Sequence, residues 1–286
     1  MIPSNFCAFI LTHGRPNTVP TYQSLRRHGY TGKVYIVIDN EDKTSEEYYR
    51  IFGDKVIMFD KKAIAATFDE ADNFEDRRAI VYARNACFQI AKDLGVKYFI
   101  QLDDDYTSFS YKVEVNGGLT DRKIYDLDNI FFMVLAWYKK INALSVAMAQ
   151  GGDFIGGNTS SKWSNGFHLL RKCMNTFICS TERPFTFIGR INEDVNTYVS
   201  VGGKGGLFFT VPDVKITQAM TQSNSGGMTD IYLDSGTYRK SFYTVMFSPS
   251  CVKIGTVGVS HQRLHHQISW KNAVPVILDE KYKKSR

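Results

Sequence analysis

Three aspartates in a row, Asp103-Asp104-Asp105, follow directly on the mostly apolar run Lys97-Tyr-Phe-Ile-Gln-Leu102. Side chains alternate along an extended strand, so Asp103 and Asp105 share one face and Asp104 takes the other. Two carboxylates on one side repel each other unless a cation sits between them. Hard divalent ions with oxygen ligands, Mn2+ or Mg2+, suit that pair and can bridge to a diphosphate. A solvated acidic turn is the plainer reading, and the apolar strand before the triplet argues against it. The segment His261-Gln-Arg-Leu-His265-His266 holds three of the six histidines of the chain. A neutral imidazole is a common metal ligand, so one of them could complete a coordination sphere begun by Asp105, with Arg263 neutralising phosphate. Surface or packing histidines are the alternative. In Ile188-Gly-Arg-Ile-Asn-Glu193-Asp194, a carboxylate could accept a proton from an acceptor hydroxyl or position it. Alternatively, Asn192 or Asp194 caps a helix that starts near Val195. Finally, Arg77, Arg78, Arg84 and Asn85 lie on or near a helix ahead of the Asp triplet, either lining a phosphate site or pairing with Asp76 and the helix surface.

The elements that must position these groups alternate between strand and helix over the first hundred residues. Phe6–Leu11 is a continuous apolar run ending in Thr12-His-Gly-Arg-Pro16, a buried strand and a turn, with Pro16 suited to a helix start. Val34–Ile38 predicts a second strand ending in Asp39-Asn-Glu-Asp42, Glu46–Phe52 a short helix, and Lys55–Phe59 a third strand followed by Asp60. From Glu75 to Leu94 the apolar spacing predicts a helix, with Gly95 at the C-cap, before the strand that runs into the triplet. Such alternation implies right-handed crossovers and a parallel sheet, whose ligand-binding groups gather at the carboxyl ends of the strands. His13, Arg15, Asp39, Asp60 and the triplet all fall at such ends. The second half predicts a long apolar helix over Asp126–Ala149 and a strand over Ile254–Val259. Between them lie glycine pairs at 151–152, 156–157, 202–203, 205–206 and 226–227, which mark loops near a ligand or tight turns.

The chain has 286 residues with 35 Lys+Arg against 29 Asp+Glu, a formal charge of +6, and 43% apolar residues. That composition is globular, and the length suits one large α/β domain. The charge favours an anionic partner, nucleotide or nucleic acid, without requiring one. The longest apolar run, Ile130–Trp137, is eight residues, far short of the roughly 20 that a spanning helix needs, so no membrane association is expected. No basic leader precedes Phe6, and the five cysteines (Cys7, Cys87, Cys173, Cys179, Cys251) include no CxxC. A cytoplasmic protein with reduced core thiols is therefore expected. Neither GxGxxG, GxxxxGK[ST], a zinc spacing nor GxSxG occurs.

A strand-end Asp39, a D-x-D at Asp103–Asp105, the Glu193-Asp194 pair and a C-terminal histidine together resemble a GT-A fold nucleotide-sugar glycosyltransferase over residues 5–277. More narrowly, the runs FILTHGRP, VYIVIDNE, ARNACFQIA, YFIQLDDDY, INEDVNTY and HHQISWKNAVP are similar to the phage-encoded TET/JBP-associated glycosyltransferases. The resemblance implies an α/β, Rossmann-like, mixed and mainly parallel sheet flanked by helices in a single domain. Residues 5–125 would be its nucleotide-sugar half, 126–277 its acceptor half and 278–286 a basic tail. It also implies transfer of a sugar, glucose, from a nucleotide sugar such as UDP-glucose to a 5-hydroxymethylpyrimidine, 5-hydroxymethylcytosine, in phage DNA within the host cytoplasm. A glycan or protein acceptor, or nucleotidyl transfer, are the alternatives. By resemblance Thr12, His13, Gly14, Arg15, Asp39, Arg84, Asp103, Asp104, Gly156 and Gly157 would hold the donor. Asp105 with His261 or His266 would hold Mn2+ or Mg2+, and Asp194 with Glu193 would serve the acceptor hydroxyl. Lys162 and Trp163, with Phe167, Arg171 and Lys172 nearby, would give the DNA phosphate contacts and a stacking surface, ordinary loop and core being the other reading.

Overall fold

The computed structural model describes residues 2–71, 75–141, 143–154, 156–159, 169, 176–218, 239–258, 262–274 and 280. Strands β1 (Phe6–Leu11), β2 (Lys33–Asp39), β3 (Val56–Phe59) and β4 (Tyr98–Asp103) pair in parallel in the spatial order β3-β2-β1-β4. All six residues of β1 are buried, as a central strand covered on both faces requires. Its alternation divides the core. Phe6, Ala8 and Ile10 enter one apolar cluster, and Cys7, Phe9 and Leu11 enter the other, on the opposite face of the sheet. Helices α1 (Pro20–Arg27), α2 (Ser45–Phe52), α3 (Lys61–Ala65) and α4 (Val81–Asp93) connect these strands.

The second half extends the same sheet with a mixed pattern. Strands β8 (Phe177–Ser180) and β7 (Ser145–Ala149) add antiparallel, and β9 (Phe208–Gln218) runs parallel to β7. The hairpin β5 (Tyr106–Val115) and β6 (Gly118–Lys123) closes the edge antiparallel to β9, giving the order β3-β2-β1-β4-β8-β7-β9-β5-β6. Asn116 and Gly117 turn this hairpin with φ of 51° and 75°, the left-handed pair that a tight two-residue connection demands. Helix α5 (Leu127–Ile141) packs on the sheet, and α6 (Glu193–Gly203) starts with Glu193 and Asp194 themselves, two residues before the expected start near Val195. A separate two-stranded sheet pairs β10 (Val252–Val257) with β11 (Arg263–Ile268). Among the described residues no helix is long and apolar enough to cross a membrane. Cys7, Cys87 and Cys179 are buried free thiols, Cys251 is a partly buried one, and Cys173 lies outside the described residues.

Four expected elements differ. Helix α1 starts at Pro20 rather than Pro16, because Thr18 N donates to Arg15 O and closes a turn around Pro16 first. Helix α4 begins at Val81, not Glu75: Glu75 has φ of 63°, and Asp76 is drawn to the backbone N–H and guanidinium of Arg78. Its end is as expected, with Gly95 at φ of 66° and Val96 N donating to Ala91 O. The single helix expected over Asp126–Ala149 is instead α5 followed by β7. Ser145–Ala149 is buried throughout and hydrogen-bonded between two strands, so sheet pairing overrides local helical preference. At the C-terminal end, His265 and His266 stand on β11 itself rather than after a strand.

Candidate active site

The carboxyl ends of β1, β2 and β4 open on one edge of the sheet, and the charged groups expected there do converge. Arg84, on α4, is the centre. Its side chain is 1% exposed, with Nε donating to Glu193 Oε1 at 3.0 Å and Nη2 donating to Asp103 Oδ1 at 2.8 Å. The guanidinium also lies 5.0 Å from the centre of the Phe177 ring and 5.8 Å from that of Phe187. One residue thus joins α4, the end of β4 and the start of α6, elements far apart in sequence. Burial opposes its charge, but Asp103 and Glu193 outweigh burial and hold the guanidinium firmly protonated. Burial pushes the Asp103 carboxyl up to about 6, with Arg84 pulling it down and Asp105 adding to the rise. Glu193 is raised for the same first reason, again against the pull of Arg84.

Strand β4 ends at Asp103, so Asp104 and Asp105 lie in the turn that follows, and strand alternation does not divide the triplet as expected. Asp103 turns to Arg84, whereas Asp104 turns to the β1–α1 loop, where its Oδ2 accepts from Thr12 Oγ1 at 2.6 Å and lies 3.3 Å from Arg15 Nη2. Asp105 Oδ2 accepts from Gln218 Nε2 at 3.0 Å, and its buried Oδ1 has no hydrogen-bond partner among the described residues. Burial raises its carboxyl, against the Gln218 hydrogen bond. A buried carboxylate oxygen without a donor fits a hard cation. Among the described residues, no group of three or more His, Cys, Asp or Glu side chains is arranged to hold a metal. His266 is buried on β11, and His261 lies outside the described residues.

The segment carrying Glu193 and Asp194 is held in a strained path. Asn192 has φ of 57°, a left-handed conformation costly for a residue with a side chain, and its Nδ2 donates to Lys240 O at 2.8 Å. At Gly189, φ is 74°, and an added Cβ would meet Asn196 Nδ2 at 2.5 Å and Phe247 at 2.6 Å, so only glycine fits. Asn85 clasps the preceding stretch, donating to Phe187 O at 2.9 Å and accepting from Phe187 N at 2.8 Å. Asn192 occupies the N-cap position of α6 but makes no side-chain cap, and Asp194 Oδ1 accepts from Val195 N at 2.8 Å.

On the β1 and β2 side, His13 Nδ1 donates to Asp39 Oδ2 at 2.7 Å, and Lys61 Nζ lies 3.3 Å from the same oxygen. Burial alone would raise Asp39, but His13 and Lys61 overcome it and hold the carboxyl below its ordinary value. Gly14 N donates to Asp42 Oδ2 at 2.7 Å, and Arg15 N donates to Tyr48 OH at 2.9 Å.

Thr12, His13, Gly14, Arg15, Asp39 and Asp104 therefore form one group, and Arg84, Asp103, Asp105, Glu193 and Asp194 a second beside it. Gly156 and Gly157 are not brought to either. Asn158, next to Gly157, donates to Glu114 at 3.1 Å, and Glu114 is nine residues along β5 from Asp105, a run of about 30 Å in extended backbone. Asp60 caps α3 through Ala63 N, Arg78 pairs with Asp76 as the plainer reading had it, and Arg77 pairs instead with Glu41 in the loop after β2. Lys162, Trp163, Phe167, Arg171 and Lys172 lie outside the described residues. Lys61, Tyr48 and Gln218 carry no sequence signal for this site. Asp42 does stand in the Asp39–Asp42 run, but nothing local shows that it holds Gly14.

No curated protein sequence matches the chain. Among solved structures, the chain is similar to glucosyl-3-phosphoglycerate synthase from Mycobacterium tuberculosis, crystallised with Mg2+ and uridine diphosphate. The identity is 9%, covering 92% of this chain and 87% of that one, at a TM-score of 0.46. It is also similar to a mycobacterial protein at 9% identity, covering 92% and 83%, with a TM-score of 0.48. Residues 6–227, most of the chain, match the model of the TET-associated glycosyltransferases, and the chain belongs to that family.

Proposed function

We propose that this glycosyltransferase moves a sugar, glucose, from a UDP-sugar to the hydroxyl of a 5-hydroxymethylpyrimidine, 5-hydroxymethylcytosine, in phage DNA, and does so in the host cytoplasm with a divalent cation. The observation that carries the reading is the convergence of Arg84, Asp103, Asp105, Glu193 and Asp194 at the carboxyl ends of the strands in a chain of this family. The DNA acceptor rests on the family resemblance, and the charge of +6 agrees with it.

In this reading the β1–α1 loop and Asp39 hold the nucleoside, and Arg15 faces the diphosphate. Asp105 offers Oδ1 to Mn2+ or Mg2+, with a C-terminal histidine, His261 or His266, as a further ligand. When bound, the ion neutralises charge growing on the departing diphosphate. Arg84 supplies fixed positive charge beside Asp103, already oriented before the donor arrives. The acceptor oxygen bonds to the anomeric carbon as the anomeric carbon–oxygen bond to the diphosphate breaks, and the bonding pair leaves with the diphosphate. Asp194 takes the hydroxyl proton. Glu193, committed to Arg84, holds that guanidinium in place instead of serving as the base.

The test is release of nucleoside diphosphate from a panel of UDP- and GDP-sugars with Mn2+, with and without hydroxymethylcytosine DNA, using Asp105→Ala as control. Release that needs metal and modified DNA and is lost in the variant is expected. Slow release indifferent to DNA would discard the acceptor, and no release with any sugar would move nucleotidyl transfer to first place.

A further inference from the structure

Resting on the donor assignment above, we propose that Asp104 is a positioning residue: it does not touch the donor but holds the Arg15 guanidinium toward the donor diphosphate. Asp104 is 3% exposed, in the turn that follows β4. Its Oδ2 accepts from Thr12 Oγ1 at 2.6 Å and lies 3.3 Å from Arg15 Nη2, whose side chain is 32% exposed. The carboxylate therefore stands behind the guanidinium, which forms the accessible surface. A planar guanidinium fork matches phosphate oxygens, and a fork already held in place loses less freedom on binding than a free arginine chain.

The backbone of the same loop is secured by other residues. Tyr48 OH contacts Thr12 Oγ1 at 2.8 Å and accepts from Arg15 N at 2.9 Å, while Asp42 accepts from Gly14 N. The turn that carries Asp104 is fixed through its own backbone. Thr21 N donates to Asp104 O at 3.2 Å, Thr21 Oγ1 donates to Asp103 O at 2.7 Å, and Tyr106 N donates to Thr21 Oγ1 at 2.8 Å. Changing the Asp104 side chain thus releases the Arg15 guanidinium, while Thr12 keeps its contact with Tyr48 and both backbones stay tied.

Calorimetric titration of UDP with Mn2+, and of uridine, into the full chain and into D104N, R15M and the double variant tests this. D104N and R15M are each expected to weaken UDP about tenfold, to leave uridine within about twofold, and to show no further loss when combined. Additive losses, tighter UDP binding by D104N, or an equal loss for uridine would overturn the proposal while leaving the donor reading intact. Wild-type chain that binds no UDP would overturn the donor reading and this proposal with it. If D104N fails to fold, R15K carries the test. It keeps the charge but loses the fork held by Asp104, and wild-type UDP affinity in R15K would overturn the proposal.

Discussion

Arg84 shows how one buried charge can organise a site. Two carboxylates from distant elements converge on it, and removing the guanidinium leaves both buried without their cation. Arg84→Met is expected to cost about 3–5 kcal/mol of stability at pH 7, and less at pH 5, where the orphaned carboxylates can protonate. Urea unfolding at the two pH values measures this. The paired acids of α6 should separate in their effects. Asp194→Asn is expected to lower kcat by roughly 10²–10⁴-fold with UDP affinity unchanged, as removal of a general base does. Glu193→Gln should instead lower the melting temperature and weaken donor binding through a loosened Arg84. Equal losses of kcat in both variants, without any effect of Glu193→Gln on melting, would reverse these roles.

Among the elements, the β5–β6 hairpin is tied to the end of α1 through a buried imidazole. His28, just after α1, is fully buried, with Nδ1 donating to Ile124 O at 2.6 Å and Nε2 accepting from Phe109 N at 3.3 Å. With one nitrogen donating and the other accepting, the ring is neutral, and burial lowers its proton affinity below the ordinary value. The unfolded chain therefore takes up a proton first as pH falls. Stability from this group is complete above about pH 6.5 and declines below it until the folded pKa is passed. His28→Gln should flatten that part of the stability–pH curve between pH 5 and 7, as chemical denaturation would record; an unchanged slope would remove His28 from the account. Asn116-Gly117 is a strong local turn signal, whereas β7 looked helical because Ser145–Ala149 owes its extended form to partners on both sides.

At the scale of the whole molecule, a site assembled from several elements couples ligand binding to global stability. A ligand held only by the folded chain stabilises it by about 2.7 kcal/mol at a hundred times its Kd. UDP with Mn2+ should therefore raise the melting temperature of the wild-type chain, and Asp105→Asn should abolish the part of the shift that depends on metal. A shift of the same size without metal, or one kept in the variant, would remove Asp105 from metal binding.

Local pattern alone determined the parallel half of the sheet, because its strands are buried on both faces and read as unbroken apolar runs ending in polar clusters. It did not determine how the Asp triplet splits, because β4 ends at Asp103 and the other two aspartates sit in a turn. The likeness to the glycosyltransferase family was legible in ordered motifs along the chain. Only the tertiary structure decided that Glu193 is bound to Arg84, that Asp104 pairs with Arg15, and that Lys61, Tyr48 and Gln218 contact Asp39, the Arg15 backbone and Asp105. It also carried Gly157 away to the far end of the hairpin, although glycine pairs read equally well as donor loops. The reason is the same in each case. An ion pair or hydrogen bond between residues tens of positions apart depends on how the sheet brings strand ends together, and local spacing carries no record of that.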